Sequence, residues 1–279
     1  MGSFKVKKVL NNNVLIAGHD TFQEVVLIGK GIGFGKKRGE LISNETVEKI
    51  FVLKNEQEQE QYKKLLPYTN EKMIEVVSDC IAHISKKVGL PLNEHIHIAL
   101  TDHITFAIKR IEQGMDIKNP FLSETEVLYP KEYNIASEVV SIIEDKLKIK
   151  LPKGEIGFIA LHIHSAITHK SISEVNRHSQ LIAQLIEVAE DSLNIQLDKE
   201  SFNYLRLVRH LQLTIERVLK EEKTEEPEEL ALLLKKKYPL CYNVAWKMIK
   251  MMQQVLKKQI DEAEAVYLTM HLYRIAKKE

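Results

Sequence analysis

The chain has 279 residues, 44% of them hydrophobic and 28% charged, with 40 Lys and Arg against 39 Asp and Glu; this excludes a disordered chain and leaves room for two or three folded domains. Its two cysteines, Cys80 and Cys241, are far apart and lack a partner motif, which excludes a disulfide framework or a cysteine metal centre and reads as two buried thiols. Apolar runs fall short of the roughly 18 residues of a membrane span, and Met1 to Lys8 lack the apolar core of a signal peptide, so a cytoplasmic protein without membrane insertion is expected.

The first 54 residues hold nine Lys and Arg against five Asp and Glu, a net charge of +4 within a chain whose total is +1. Seven of the eleven glycines precede residue 40, proline is absent before Pro67, and the apolar runs are short and β-branched. These runs predict strands over Phe4 to Leu10, Val14 to Ala17, Glu24 to Ile28 and Val47 to Leu53, with Asn11, Asn12 and Asn13 forming a tight turn. A small basic β head of this kind fits a polyanion-binding module.

From about residue 55 the texture turns helical. Asn55 to Lys64 is polar and helix-favouring, and beyond it apolar residues recur at three- and four-residue spacing, as in Ile74, Val77, Ile81 and again in Ile104, Ala107, Ile108, Ile111. This body repeats itself. Tyr129-Pro-Lys-Glu-Tyr-Asn-Ile-Ala136 returns as Tyr238-Pro-Leu-Cys-Tyr-Asn-Val-Ala245, and Glu155-Ile-Gly-Phe-Ile-Ala-Leu-His162 as Glu264-Ala-Val-Tyr-Leu-Thr-Met-His271, both at an offset of 109. Leu100-Thr-Asp-His103 with Ile108-Lys-Arg110 returns as Leu207-Val-Arg-His210 with Ile215-Glu-Arg217 at an offset of 107. The expected architecture is multidomain: a small all-β domain over residues 1–60, followed by two repeated all-α helical-bundle domains over 61–170 and 171–279.

Two groups of residues carry chemistry. The stretch Gly29-Lys-Gly-Ile-Gly-Phe-Gly-Lys-Lys-Arg38 matches neither a phosphate loop nor a dinucleotide fingerprint, because Lys37 stands where Ser or Thr should follow Lys36, and Phe34 or Lys36 where the third glycine should be. Two readings remain for it. Either the glycines allow close approach to another surface while Phe34 stacks and Lys30, Lys36, Lys37 and Arg38 meet phosphates, or the stretch is a plain hairpin with an inward Phe. Asn11 to Asn13 are likewise turn formers or, if exposed beside that loop, contacts to bases or riboses.

The second group is histidine. His103 pairs with His210 and His162 with His271 across the repeats, 59 and 61 residues apart within each copy. Such spacing suits a shared two-histidine site on neighbouring helices, although a buried ion pair, a metal site or simply core histidines would give it too. The ligand-like pairs His95/His97 and His162/His164 fail as helical chelates, since residues two apart point about 200° away from each other. Neither a metal nor a cofactor is therefore expected.

Taken together, these segments resemble the BglG/SacY/LicT-type antiterminators of the bacterial sugar phosphotransferase system, most closely the glucose-type members. Lys8-Val-Leu-Asn-Asn-Asn-Val14 and Gly29-Lys-Gly-Ile-Gly-Phe-Gly-Lys-Lys37 look like the two signature segments of the family's RNA-binding module, and Leu100-Thr-Asp-His103 and Gly157-Phe-Ile-Ala-Leu-His162 like the histidine motifs of its first regulatory domain. The resemblance implies a homodimer whose four-stranded β module binds a hairpin in an mRNA leader and prevents terminator formation, with RNA contacts from Asn11, Asn13, Gly29, Lys30 and Phe34. It implies no enzyme activity, and phosphorylation of His103, His162, His210 and His271 by the phosphocarrier protein HPr and a sugar-specific transporter subunit EII. Lys30 stands where many members have Arg, exchanging a planar fork for a point charge. Arg209 stands where Asp102 precedes His103 in the first copy; a carboxylate can orient an imidazole and a cation cannot, so His210 is expected to be used less readily. The competing readings are a phosphotransferase-regulated DNA-binding factor, which would need a helix-turn-helix, and a metal-dependent hydrolase.

Overall fold

A computed structural model describes residues 4–10, 12–19, 23–51, 71–115, 117–222 and 228–277. The head is an antiparallel sheet of β1 (Phe4–Val9), β2 (Val14–His19), β3 (Gln23–Ile28), β4 (Leu41–Ile42) and β5 (Lys49–Phe51), in the order β4-β1-β2-β3-β5. The four predicted strands are β1, β2, β3 and β5. The two-residue β4, which pairs with Phe4 and Lys5, is too short to show a period of two, and a β-bulge between Val6 and Lys8 breaks the register of β1 against β2. Asn11 lies outside the described residues, as does the predicted helix-favouring stretch Asn55 to Lys64; across the asparagine turn, the Leu10 N–H donates to the Val14 carbonyl.

Alternation buries both faces of this sheet. Phe4, Val6, Leu15, Ala17, Val25, Leu27, Ile32 and Ile42 form one cluster, and Val14, Ile16, Val26 and Ile28 form another that includes Ile74 and Ile98 from the helices below. That is why Val14 to Ala17 and Val25 to Ile28 read as continuous apolar runs.

Ten helices follow among the described residues: α1 (Glu71–Val88), α2 (Ile96–Glu112), α3 (Leu122–Leu128), α4 (Pro130–Leu147), α5 (Gly154–Thr168), α6 (Ile172–Leu193), α7 (Phe202–Lys220), α8 (Glu228–Lys237), α9 (Pro239–Leu256) and α10 (Glu262–Ala276). The second five repeat the order of the first, and the repeated Tyr-Pro marks the starts of α4 and α9, where a missing N–H costs nothing. Ser171 caps α6 by accepting from Glu174 N and Ser201 caps α7 by accepting from Tyr204 N.

Packing divides the chain into two compact units, Met1–Ile117 with Ile135–His169, and Lys118–Asn134 with Lys170–Glu279. In the second unit α3 belongs with the helices of the second repeat. Buried Tyr204 donates its hydroxyl to Glu124 at 2.7 Å, and Arg209 donates to the Leu128 carbonyl at 3.2 Å.

Candidate functional site

The glycine-rich stretch closes on the asparagine turn through its backbone N–H groups. Gly29 N donates to the Asn13 carbonyl at 3.0 Å, Gly33 N to the Asn12 carbonyl at 2.8 Å, and Gly31 N to Asn13 Oδ1 at 2.6 Å. Gly31 and Gly35 adopt positive φ, +69° and +67°, and an added Cβ at Gly29 would lie 2.0 Å from the Thr46 carbonyl oxygen. The loop can therefore be built only with glycine at its close-approach point and is costly otherwise at its left-handed turns. Ile32 is buried, so the inward side chain of this loop is Ile32. Phe34 points out, 75% exposed, with Lys30, Lys36, Lys37 and Arg38 exposed around it. The inward-Phe reading of the hairpin is thereby excluded. Asn13, Gly29 and Lys30 also line a cavity of about 340 Å³ with Glu48 and Glu75, apart from the exposed Phe34 and the basic run.

The four repeated histidines meet in pairs. His103 on α2 and His162 on α5 have ring centroids 4.9 Å apart, and His210 on α7 and His271 on α10 stack at 4.4 Å. Sequence reasoning quoted two further residues of each pair site only as repeat markers. In the first copy Glu155, buried on α5, has Oε2 2.8 Å from His103 Nε2 and takes Arg110 on its other oxygen at 2.9 Å. In the second copy the equivalent Glu264 takes Arg217 at 2.8 and 2.9 Å. Glutamate and arginine repeated at the histidines' own offsets, on faces otherwise apolar, were the available signal.

The two copies differ around this carboxylate. Glu264 also accepts from the Thr214 hydroxyl at 2.8 Å, and His210 Nε2 stands 4.0 Å from it. Asp102, expected to orient His103, is exposed, because adjacent helical residues point about 100° apart; the carboxylate touching His103 is Glu155. Arg209 correspondingly turns to the Leu128 carbonyl and Gln212. Phe106, three residues on from His103, is exposed, with the Arg110 guanidinium 5.0 Å from its ring centroid.

Burial favours the neutral form of three of these imidazoles, His162, His210 and His271. Desolvation, with the neighbouring His103 and His95 adding to it, pushes His162 down to about 3. Desolvation and His271 push His210 down to about 4, and desolvation, with Arg274 and Arg206, lowers His271. Among the described residues no group of three or more His, Cys, Asp or Glu is arranged to hold a metal ion, and no helix is long and apolar enough to cross a membrane.

The CAT RNA binding domain family matches residues 4–60, and the PRD domain family matches twice, at 78–166 and 183–275. The chain is 64% identical over 277 residues to the PtsGHI operon antiterminator of Bacillus subtilis (strain 168), covering 99% of each chain. It is 42% identical to the GlcA/glcB genes antiterminator of Staphylococcus carnosus (strain TM300), covering 98% of this chain and 96% of that one. A crystal structure of GlcT CAT-PRDI matches with a TM-score of 0.55 at 63% identity, covering 60% of this chain and 99% of that chain. A β head with an exposed aromatic in a glycine loop, followed by two copies of one histidine-bearing helical domain, thus belongs to the family of transcriptional antiterminators built from a CAT RNA-binding domain and two PRD domains.

Proposed function

We propose that this antiterminator binds a hairpin in the leader of a nascent mRNA, prevents the terminator from forming, and is switched by histidine phosphorylation from the sugar phosphotransferase system at a glucose transport operon. In this reading it is a cytoplasmic homodimer without enzyme activity, organised as domains 1–60, 61–170 and 171–279. The RNA contacts are Asn11, Asn13, Gly29, Lys30 and Phe34. His103, His162, His210 and His271 accept phosphoryl groups from HPr and the transporter subunit EII.

The observation that carries the reading is the twofold occurrence of one constellation, two adjacent histidines beside a Glu–Arg pair. A neutral imidazole supplies the nucleophilic lone pair for phosphoryl transfer, and the arginine is at hand to meet the phosphate's charge. Exposed Phe34 offers a stacking face to an unpaired base, worth about 1–3 kcal/mol.

The test incubates the purified chain with phosphorylated HPr and EII, maps acid-labile phosphate by mass spectrometry, and measures affinity for a leader hairpin against salt. Phosphate on the paired histidines and a roughly 5- to 150-fold affinity loss in Phe34→Ala are the expected results. Phosphate confined to other histidines would overturn the regulatory reading, and wild-type affinity in Phe34→Ala would return Phe34 to a surface side chain.

A further inference from the structure

Position 107 of the first copy corresponds to position 214 of the second, and the two differ: Ala107 against Thr214. On a helix, residues at i, i+4 and i+7 share a face, so His103, Ala107 and Arg110 form one stripe on α2, and His210, Thr214 and Arg217 form its equivalent on α7. Both stripes face a buried glutamate. Alanine offers no hydroxyl, and Glu155 bonds His103 Nε2 at 2.8 Å. Threonine does, and Glu264 bonds Thr214 at 2.8 Å with His210 Nε2 held off at 4.0 Å.

We propose that Glu155, backed by Arg110, is a positioning residue that fixes His103 as the Nε2–H tautomer and so makes Nδ1 its phosphoryl acceptor, and that Ala107 and Thr214 decide whether each copy has this device. The acceptor half rests on the phosphorylation reading above.

The reasoning is electrostatic. A carboxylate with an arginine on its other oxygen is an acceptor only, so the proton of this hydrogen bond sits on Nε2, and in the neutral ring the lone pair is then on Nδ1. The donor is a phosphorylated imidazole or thiolate on a transport protein. The new P–N bond forms at Nδ1, and the donor's P–N or P–S bond breaks with its electron pair returning to the donor. The proton on Nε2 stays in place, and the resulting ring cation lies against the Glu155 carboxylate, which Arg110 balances in turn. In the second copy the Thr214 hydroxyl diverts the carboxylate, so neither ring nitrogen of His210 is locked by Glu264.

Ring tautomers can be read on the full chain, labelled with ¹⁵N-histidine, by long-range ¹H–¹⁵N correlation at pH 7.5. His103 is expected to show the Nε2–H pattern. Ala107→Thr should erase it, and Thr214→Ala, a mild change that leaves the first copy untouched, should create it at His210. After transfer from phosphorylated HPr and EII, ³¹P–¹⁵N coupling is expected at His103 Nδ1, with the rate to His103 falling on the order of tenfold in Ala107→Thr.

An Nδ1–H pattern at wild-type His103, or ring patterns unmoved by both substitutions, would overturn the positioning role. Because those spectra need no phosphate donor, that failure is separate from any failure of the phosphorylation reading. Phosphate on Nε2 would overturn the acceptor assignment alone, and absence of phosphate from His103 would overturn both that assignment and the role proposed above.

Discussion

Replacing Arg110 by Met separates the energetic weight of the two histidine sites. Glu155 is 3% exposed and Arg110 11%, joined at 2.9 Å, so removing the guanidinium leaves a carboxylate in low dielectric without its cation. One-sided removal from a buried pair costs about 3–5 kcal/mol. In the second copy Arg217 is 30% exposed, and Thr214 donates to the same carboxylate. Water and a hydroxyl therefore compensate in part, and Arg217→Met should cost about 1–3 kcal/mol. Urea unfolding reads both, because Trp246, the single tryptophan, lies on α9 in the second unit and reports it by fluorescence, while far-UV circular dichroism follows the helices of the whole chain. Adding Glu155→Leu to Arg110→Met should recover most of the loss, since an apolar pair of similar volume removes the stranded charge. A cost for Arg217→Met equal to or above that of Arg110→Met would refute the reasoning, as would a double variant weaker than the single one.

Acid should destabilise the fold before the carboxylates titrate. His162, His97 and His210 have folded-state values of about 3, 4 and 4 against an ordinary 6.5, so the unfolded chain takes up their protons first. Their contribution is present above about pH 6.5 and is lost as pH falls toward about 4, by up to ~1.4 kcal/mol per pH unit for each group; unfolding midpoints at pH 7.5 and 5.5 that coincide would contradict this. Gly29→Ala, whose methyl would meet the Thr46 carbonyl at 2.0 Å, should lower stability by about 1–3 kcal/mol and weaken hairpin binding, whereas Gly31→Ala, with open space but φ of +69°, should cost about 1 kcal/mol. Thermal midpoints of the two variants decide the order. Two dianionic phosphates on rings 4.9 or 4.4 Å apart would repel by on the order of 10 kcal/mol at an effective dielectric of ~20, so intact-mass spectra of fully treated protein should stop at one phosphate per copy.

Much of this could be read from residue order because the physics behind it is periodic. Short β-branched runs located β1, β2, β3 and β5, and the repeat located two helical domains whose similar spacing put His103 against His162 and His210 against His271. What stayed hidden depends on contacts without period. Leu41–Ile42 is strand only because Phe4 and Lys5 are there to pair with it. The packing of α3 with the second repeat rests on Glu124 meeting Tyr204, 80 residues away, and no window of sequence carries that pairing. The orienting carboxylate was sought beside His103 in sequence, at Asp102, when a helix places its partners one turn away or on another element.

The comparison of the copies is the instructive case, because what is repeated and what is not mean different things. Glu155 with Arg110, and Glu264 with Arg217, recur because a buried carboxylate needs a cation wherever the scaffold puts one; that pair belongs to the domain's construction. Ala107 and Thr214 do not recur, yet they sit against the same carboxylate and differ by one hydroxyl. A hydroxyl there competes with an imidazole for one oxygen, and the loser is left 4.0 Å away. The stability of the pair is thereby kept in both copies while the proposed control of the histidine's proton falls to one, so that in the phosphorylation reading the two domains would present chemically different histidines to one class of phosphoryl donor.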